Sequence, residues 1–158
     1  MKNVSRLTIA SLVLGLSFMY PSLAIADDCE DGTTVHAVLK AQNGSGISGT
    51  ATVCVTAHAV RGQIYAKNLK PGNAYTLWFF FAENGVSSNP GRFDSTVARQ
   101  NTATFSGHVG GLRAPSGSTI TLEMFDHGQA SSDDVTLANN LLTPAGGGPA
   151  AQAIINMP

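Results

Sequence analysis

The chain is predicted to be all-β, a single antiparallel β-sandwich of immunoglobulin-like architecture, with a small β-barrel as the alternative. After residue 26, short runs rich in Val, Thr, Ile and aromatic residues alternate with Gly, Pro, Asn and Ser. Charged residues make up 12% of the chain, about half the usual share. The surface is therefore expected to consist largely of Ser, Thr, Asn, Gln and Gly, and little helix is expected.

Seven segments have the composition of strands and are bounded by turn residues. They are 33–40, 49–59, 63–69, 74–81, 102–109, 118–125 and 151–157. Tight connections are predicted at Arg61-Gly62 and at the Pro71-Gly72 turn. The run 74–81, AYTLWFFF, is almost continuously apolar, which predicts a central strand covered on both faces.

Three segments are predicted to lie outside the strands. Residues 84–92 combine Gly, Ser, Asn and Pro and are interpreted as a loop. Residues 133–142 are interpreted as a short helix capped by Asp133. Residues 144–149 are a Gly- and Pro-rich break before the last strand.

Residues 1–26 have the pattern of a cleaved secretory signal peptide. Lys2 and Arg6 precede an apolar run at 7–19, and Ala24-Ile25-Ala26 is a small-x-small cleavage site. The run is shorter than the roughly 20 residues that span a bilayer. The protein is therefore expected to be secreted or periplasmic, with a mature chain at 27–158 that forms one domain.

The mature chain has no basic run that would suit nucleic acid. Once Lys2 and Arg6 are removed, seven Lys and Arg remain against ten Asp and Glu. No later stretch is long and apolar enough to span a membrane. We therefore expect a monomer with no membrane contact after signal cleavage, and an unknown extracytoplasmic ligand or protein as its partner.

Cys29 and Cys54 are the two cysteines, and they are predicted to form a structural disulfide. The loop would hold about 25 residues and contribute roughly 3 kcal/mol by the chain-entropy relation. A redox pair usually has Cys-x-x-Cys spacing, which these residues lack. Free thiols and metal ligands are the remaining alternatives.

Four histidines follow the signal: His36, His58, His108 and His127. Each lies in or beside a different predicted strand, so the fold could bring some together as copper or zinc ligands. None has the short spacing of H-x-H or H-x-x-x-H, and solvated surface positions are the alternative. Apart from copper or zinc, no cofactor is indicated.

No catalytic motif is recognised. The chain lacks a Gly-x-Ser-x-Gly nucleophile elbow, and its few glutamates follow no spacing that predicts a catalytic pair. Whether it is an enzyme stays open, with a non-enzymatic binding or surface-associated module favoured. The alternatives are a metal-binding or metal-dependent protein that uses the histidines, and a subunit that assembles through a sheet edge.

The aromatic residues have two interpretations. Trp78, Phe80 and Tyr75 could stack on a sugar, but their place in an apolar strand favours the core. Tyr65 and Phe93 are the better candidates for exposed contacts.

Three runs together resemble a group of uncharacterised secreted bacterial proteins. They are NLKPGNAYTLWFFF at 68–81, ATFSGHVGGL at 103–112 and ITLEMFDHGQ at 120–129. In that group a G-x-A-Y-T-x-W strand follows a Pro-Gly turn, and a late strand ends in a His-Gly pair. The group has no established activity, so the resemblance implies a secreted β-sandwich and no particular function.

Overall fold

The computed structural model describes residues 29–83, 86–111, 117–130 and 148–156, and these residues form eight strands and no helix. The strands are β1 (Thr33–Ala41), β2 (Ser48–Val55), β3 (Ala59–Lys67), β4 (Asn73–Glu83), β5 (Val86–Val97), β6 (Thr102–Gly110), β7 (Thr119–Gln129) and β8 (Ala151–Asn156). The all-β prediction is confirmed. The predicted signal peptide at 1–26 and helix at 133–142 lie outside the described residues. Within the described ranges no helix is long and apolar enough to cross a membrane.

The strands form one antiparallel sheet in the order β5-β4-β7-β8-β1-β2-β3-β6. Two four-stranded halves meet at β1, which pairs with β2 over most of its length and with β8 only through Lys40 and Ala41. A strand that changes partners in this way turns a corner between two layers. Because β5 and β6 also approach each other, the sheet is nearly closed and barrel-like, as the barrel alternative predicted.

The two end strands meet without a ladder of backbone hydrogen bonds. A Cβ atom at Gly107 would lie 2.1 Å from the carbonyl oxygen of Phe93, so only glycine allows this approach. Asp94 bridges the strands: its Oδ2 accepts from the Ser106 amide at 2.8 Å, and its Oδ1 accepts from the Ser95 amide at 2.7 Å. One carboxylate therefore satisfies backbone donors on both sides of the seam.

A single hydrophobic core lies between the two halves. Alternate residues point into it, as the period-2 pattern of a half-buried strand requires. Its largest fully buried side chains are Tyr75, Phe79, Phe105, Leu39, Ile47, Ile64, Leu77, Ile120, Leu122, Met124, Ile155 and Val53. Phe93 on β5 packs edge-on against Phe79, with ring centroids 5.1 Å apart. Phe93 is only 6% exposed, so its prediction as an exposed contact is wrong.

β4 is buried on both faces, as its sequence predicted. Leu77 and Phe79 enter the main core, whereas Thr76 and Trp78 are buried on the opposite face. The Trp78 Nε1–H donates to Thr76 Oγ1 at 2.9 Å, which satisfies the only polar atom of the indole. At the start of the strand, the hydroxyl of buried Tyr75 accepts from the Lys70 amide at 2.8 Å and ties the preceding turn to the core.

β5 is the strand that the sequence analysis missed, because residues 84–92 were interpreted as a loop. Pro90 cannot donate to a ladder, and proline is tolerated on strands that have an open edge or a bulge. β5 pairs only with β4, and the register shifts between Phe79 and Phe81, opposite the residues around Pro90. The irregular pairing therefore accommodates a composition that otherwise signals a loop.

The predicted connection at Arg61-Gly62 is also wrong, because both residues lie within β3. The turn lies earlier, where Thr56 Oγ1 accepts from the His58 and Ala59 amides at 3.2 Å and 2.9 Å. Gly62 is needed for close packing, since a Cβ there would lie 2.3 Å from the Thr52 carbonyl oxygen. The Pro71-Gly72 turn is confirmed: the Asn73 amide donates to the Lys70 carbonyl at 3.1 Å, and Gly72 has φ 87°.

The Asp94 bridge yields a stability prediction. Asp94→Ala should lower the free energy of unfolding by about 1–3 kcal/mol, because two backbone amides lose their acceptor. Urea denaturation would measure this loss, and hydrogen exchange should show faster exchange of the Ser106 amide. The exposed Asp31→Ala variant is the control for removing one carboxylate. Equal stability of the two variants would contradict a role for Asp94 in closing the sheet.

Candidate functional site

The predicted disulfide is present, with the Cα atoms of Cys29 and Cys54 5.5 Å apart. Cys54 lies on β2 and, like Thr52, points away from the core, because the buried residues of this strand are Ala51, Val53 and Val55. The disulfide therefore holds the segment before β1 against the outside of the sheet. We call the surface of β1, β2, β3 and β6 that points away from the core the outer face.

A cavity of about 390 Å³ opens on the outer face beside the disulfide. Its position follows from the strand register. Thr52, Gln63 and Ser106 are direct partners across β2, β3 and β6, and Cys54 and Arg61 are partners in the adjacent row. Each of these residues lines the cavity. The walls thus stand on strands with long continuous ladders, a rigid base for a binding site.

The cavity has a distinct chemistry. Hydroxyls from Thr34, Thr52 and Ser106 can both donate and accept, the Gln63 amide can do the same, and the Arg61 guanidinium only donates. The disulfide adds an apolar wall. None of the described residues that line the cavity is Asp or Glu. Such a lining suits a small ligand that is rich in hydroxyl or anionic oxygen and has an apolar side.

Two predicted metal ligands lie on the outer face but not together. His36 is on β1, where its Nδ1 lies 3.1 Å from Thr52 Oγ1 at the rim of the cavity. His108 is on β6, opposite Arg61 of β3. Since β1 and β6 are separated by three strand spacings, their backbones lie roughly 14 Å apart. That separation is too wide for His36 and His108 to bind one ion directly.

The other two histidines lie elsewhere. His58 is exposed in the turn between β2 and β3, and His127 is on β7 in the other half of the sheet. Among the described residues, no three His, Cys, Asp or Glu side chains form a group that could hold a metal ion. Copper or zinc binding stays a prediction from the sequence.

His127 belongs to a hydrogen-bonded chain on the far side of β4. Its Nε2 lies 2.7 Å from Thr76 Oγ1, the same hydroxyl that accepts from Trp78. Burial lowers the pKa of His127, while the charge of Asp126 opposes this by raising it. The Nδ1–H tautomer of a neutral imidazole can accept from the Thr76 hydroxyl at Nε2, and the three side chains Trp78, Thr76 and His127 are thereby connected. Because Thr76 is fully buried, its hydroxyl is not accessible for nucleophilic attack.

Asp126 has its own role at the end of β7. Its carboxylate accepts from the Asn73 side-chain amide at 2.8 Å and from the Gly128 backbone amide at 2.9 Å. Burial is the main reason that the pKa of neighbouring Tyr75 is raised. On the same strand, burial raises the pKa of Glu123, while a hydrogen bond from Gln152 at 3.0 Å lowers it. These contacts connect β4, β7 and β8 and are fully explained by the fold.

No family model matches the chain, and no curated protein or solved structure is significantly similar to it.

No sequence pattern predicted Arg61, Gln63 or Ser106 as site residues. Their outward positions follow from the alternation of side chains along a strand, which can be deduced from the sequence. Their proximity depends on the pairing of β3 with β6, which are not consecutive strands. Lys67 at the end of β3 and Thr102 at the start of β6 are 35 positions apart in the sequence. No local pattern encodes that pairing.

The disulfide supports a second stability prediction. Replacing Cys29 and Cys54 together with Ala should lower the free energy of unfolding by about 3 kcal/mol, because the sequence separation of 25 residues sets the lost chain-entropy constraint. Urea denaturation of the oxidised protein and the double variant would measure it. An unchanged unfolding midpoint would contradict the prediction, and adding reductant to the double variant should have no effect.

The lowered pKa of His127 gives stability a defined pH dependence. As the pH is lowered, the unfolded chain protonates this histidine near its ordinary pKa of about 6.5. The folded state protonates it only at a lower pH. Stability should therefore fall as the pH drops below about 6.5 and be unaffected by His127 above it. Urea unfolding followed by Trp78 fluorescence at several pH values would measure this.

His127→Gln should flatten that part of the pH profile, whereas the exposed His58→Gln should leave it unchanged. An identical pH profile for His127→Gln and the parent protein would rule out His127 as its source.

Proposed function

We propose that this protein is a non-enzymatic extracytoplasmic binding module whose ligand site is the cavity beside the disulfide. The observation that carries the proposal is the cavity of about 390 Å³ with hydroxyl, amide and guanidinium groups converging on it from adjacent strands. Ligand sites commonly have volumes of roughly 300–1,000 Å³ and a few well-placed polar groups.

A polyhydroxylated ligand, neutral or anionic, fits this lining best. Thr34, Thr52 and Ser106 offer hydroxyls that adapt to either donors or acceptors, and Arg61 favours oxygen acceptors. The disulfide and the Thr methyl groups suit the apolar face of a sugar ring. A cationic ligand would meet the Arg61 guanidinium, and none of the described lining residues offers it a carboxylate.

The side chains that line the cavity favour binding without catalysis. A hydrolytic site needs a nucleophile or base within hydrogen-bonding reach of a second titratable group. Among the described residues of the cavity lining, Arg61 is the one charged side chain and none is His, Asp or Glu. Hydroxyls and amides of this kind bind and orient a ligand. His36 at the rim lies 3.1 Å from Thr52 Oγ1 and has no carboxylate partner within the described part of the chain.

The proposed location rests on the disulfide. Structural disulfides persist in oxidising compartments, which agrees with the signal-like sequence at 1–26. A secreted or periplasmic module would meet cell-envelope or environmental sugars in that setting.

The test is a ligand titration monitored by backbone NMR. The sugar probes are galacturonate, glucose and N-acetylglucosamine, and acetate and glycine are the probes that are not sugars. At least one sugar should give saturable shifts at the amides of Gln63 and Ser106. Ser106→Trp should abolish them, because the ring fills the cavity while the backbone amide can still donate to Asp94.

Ile154→Trp is the matched control, since Ile154 is 60% exposed on β8, away from the cavity. If no sugar shifts these amides, or if Ser106→Trp binds as well as the control, the cavity is not the ligand site.

A further inference from the structure

We infer that the outer face continues the cavity as a track for an acidic oligosaccharide, whose end sits in the cavity and whose next units contact Tyr65 and then Lys67. This inference rests on the proposed function and names its ligand class. The track follows β3, whose outward residues in order are Arg61, Gln63, Tyr65 and Lys67.

The length of the track favours a chain over a single sugar. Arg61 and Gln63 line the cavity, and Lys67 lies six residues from Arg61 along the same strand. At about 3.3 Å per residue this distance is roughly 20 Å. A ligand that reaches both ends must therefore be extended, and a polymer end is the simplest such ligand.

Tyr65 lies in the middle of the track and is 42% exposed. Its neighbours across the sheet are Thr50 on β2 and Thr104 on β6, both exposed. An exposed aromatic ring between short hydroxyl side chains offers a flat apolar surface with hydrogen-bonding groups beside it. This combination matches a sugar ring, which has an apolar face and hydroxyls at its edge.

The charges on the outer face are all positive. Lys40 and Lys67 are exposed at the end of the track away from the disulfide, and neither forms an ion pair within the described part of the chain. None of the outward residues of β1, β2, β3 and β6 is Asp or Glu. The whole chain nevertheless has more acidic than basic residues, so this face differs in sign from the average surface.

The closest carboxylates lie at the margins of the face. Asp94 of β5 lies beside β6, where it accepts from the Ser106 amide at 2.8 Å. Glu30 and Asp31 precede β1 near the disulfide, and Glu123 lies on β7, beyond Gln152, the partner of Lys40 on β8. Glu123 accepts a hydrogen bond from Gln152. Lys67 has Ser48 and Thr102 as its neighbours across the sheet, so it is the cation best placed for an acidic group of the ligand.

The test compares galacturonate, its dimer and progressively longer oligogalacturonates with neutral malto-oligosaccharides of equal length, by isothermal titration calorimetry. Affinity for the acidic series should rise with length and then level off, and it should weaken as salt is raised. The neutral series should bind less tightly at every length beyond the monomer.

Lys40→Gln combined with Lys67→Gln should weaken binding of the long acidic oligomers by about two- to fivefold, because two exposed charge pairs with the ligand are lost. It should leave binding of the monomer unchanged. Tyr65→Ala should weaken the binding of long acidic and long neutral oligomers alike. Tyr65→Phe should retain their affinity. Lys70→Gln is the control, because Lys70 is exposed in the turn after β3 and lies off the track.

The outcomes separate this inference from the proposed function. Monomer binding that Ser106→Trp abolishes, with no length dependence and no effect of the lysine variants, would leave the cavity function in place and overturn the track. Equal weakening by Lys70→Gln would show attraction to the overall charge and would also overturn it. If single-stranded DNA binds as tightly and responds to the same variants, the face is a general polyanion site and the glycan assignment is wrong.

Discussion

The close approach of β5 and β6 is the constraint on which the rest of the structure depends. It requires glycine at position 107, where any Cβ would collide with the Phe93 backbone, and at Gly91, where a Cβ would lie 2.2 Å from Val109 Cγ1. Asp94 then supplies the acceptor that the Ser106 amide lacks in the absence of a ladder. Because Ser106 lines the cavity, the contact that closes the sheet also fixes one wall of the proposed site.

The disulfide defines the opposite wall by a different route. Cys54 is fixed by the ladders of β2 with β1 and β3, and Cys29 brings the incoming chain to that point. The disulfide therefore stabilises the fold through the unfolded chain and shapes the cavity through its position. One consequence is that loss of the disulfide changes stability and the site together, so ligand binding alone does not measure either effect.

Local patterns predicted much of the fold. The alternation of strand-forming runs with turn residues predicted an all-β chain, the apolar run predicted a buried β4, and the two cysteines predicted the disulfide. β5 was missed because Pro90 and its neighbours are poor strand residues, tolerated only where the pairing with β4 shifts register. The turn at Thr56 was missed because a threonine hydroxyl closes it in place of a glycine. The cavity could not be predicted, since it depends on the long-range pairing of β3 with β6.

The two halves of the sheet differ in how they use their second face. In the half containing β4 and β7, Thr76, Trp78 and Phe125 are buried on the side away from the main core, and His127 is drawn into that layer by Thr76. A histidine in such a place is a satisfied structural residue. In the half containing β3, the side away from the core carries hydroxyls, an exposed tyrosine and lysines. The outward residues of this face contribute little to the core, so core packing does not dictate their composition. The uniform sign of its charges is the observation from which we infer an anionic ligand.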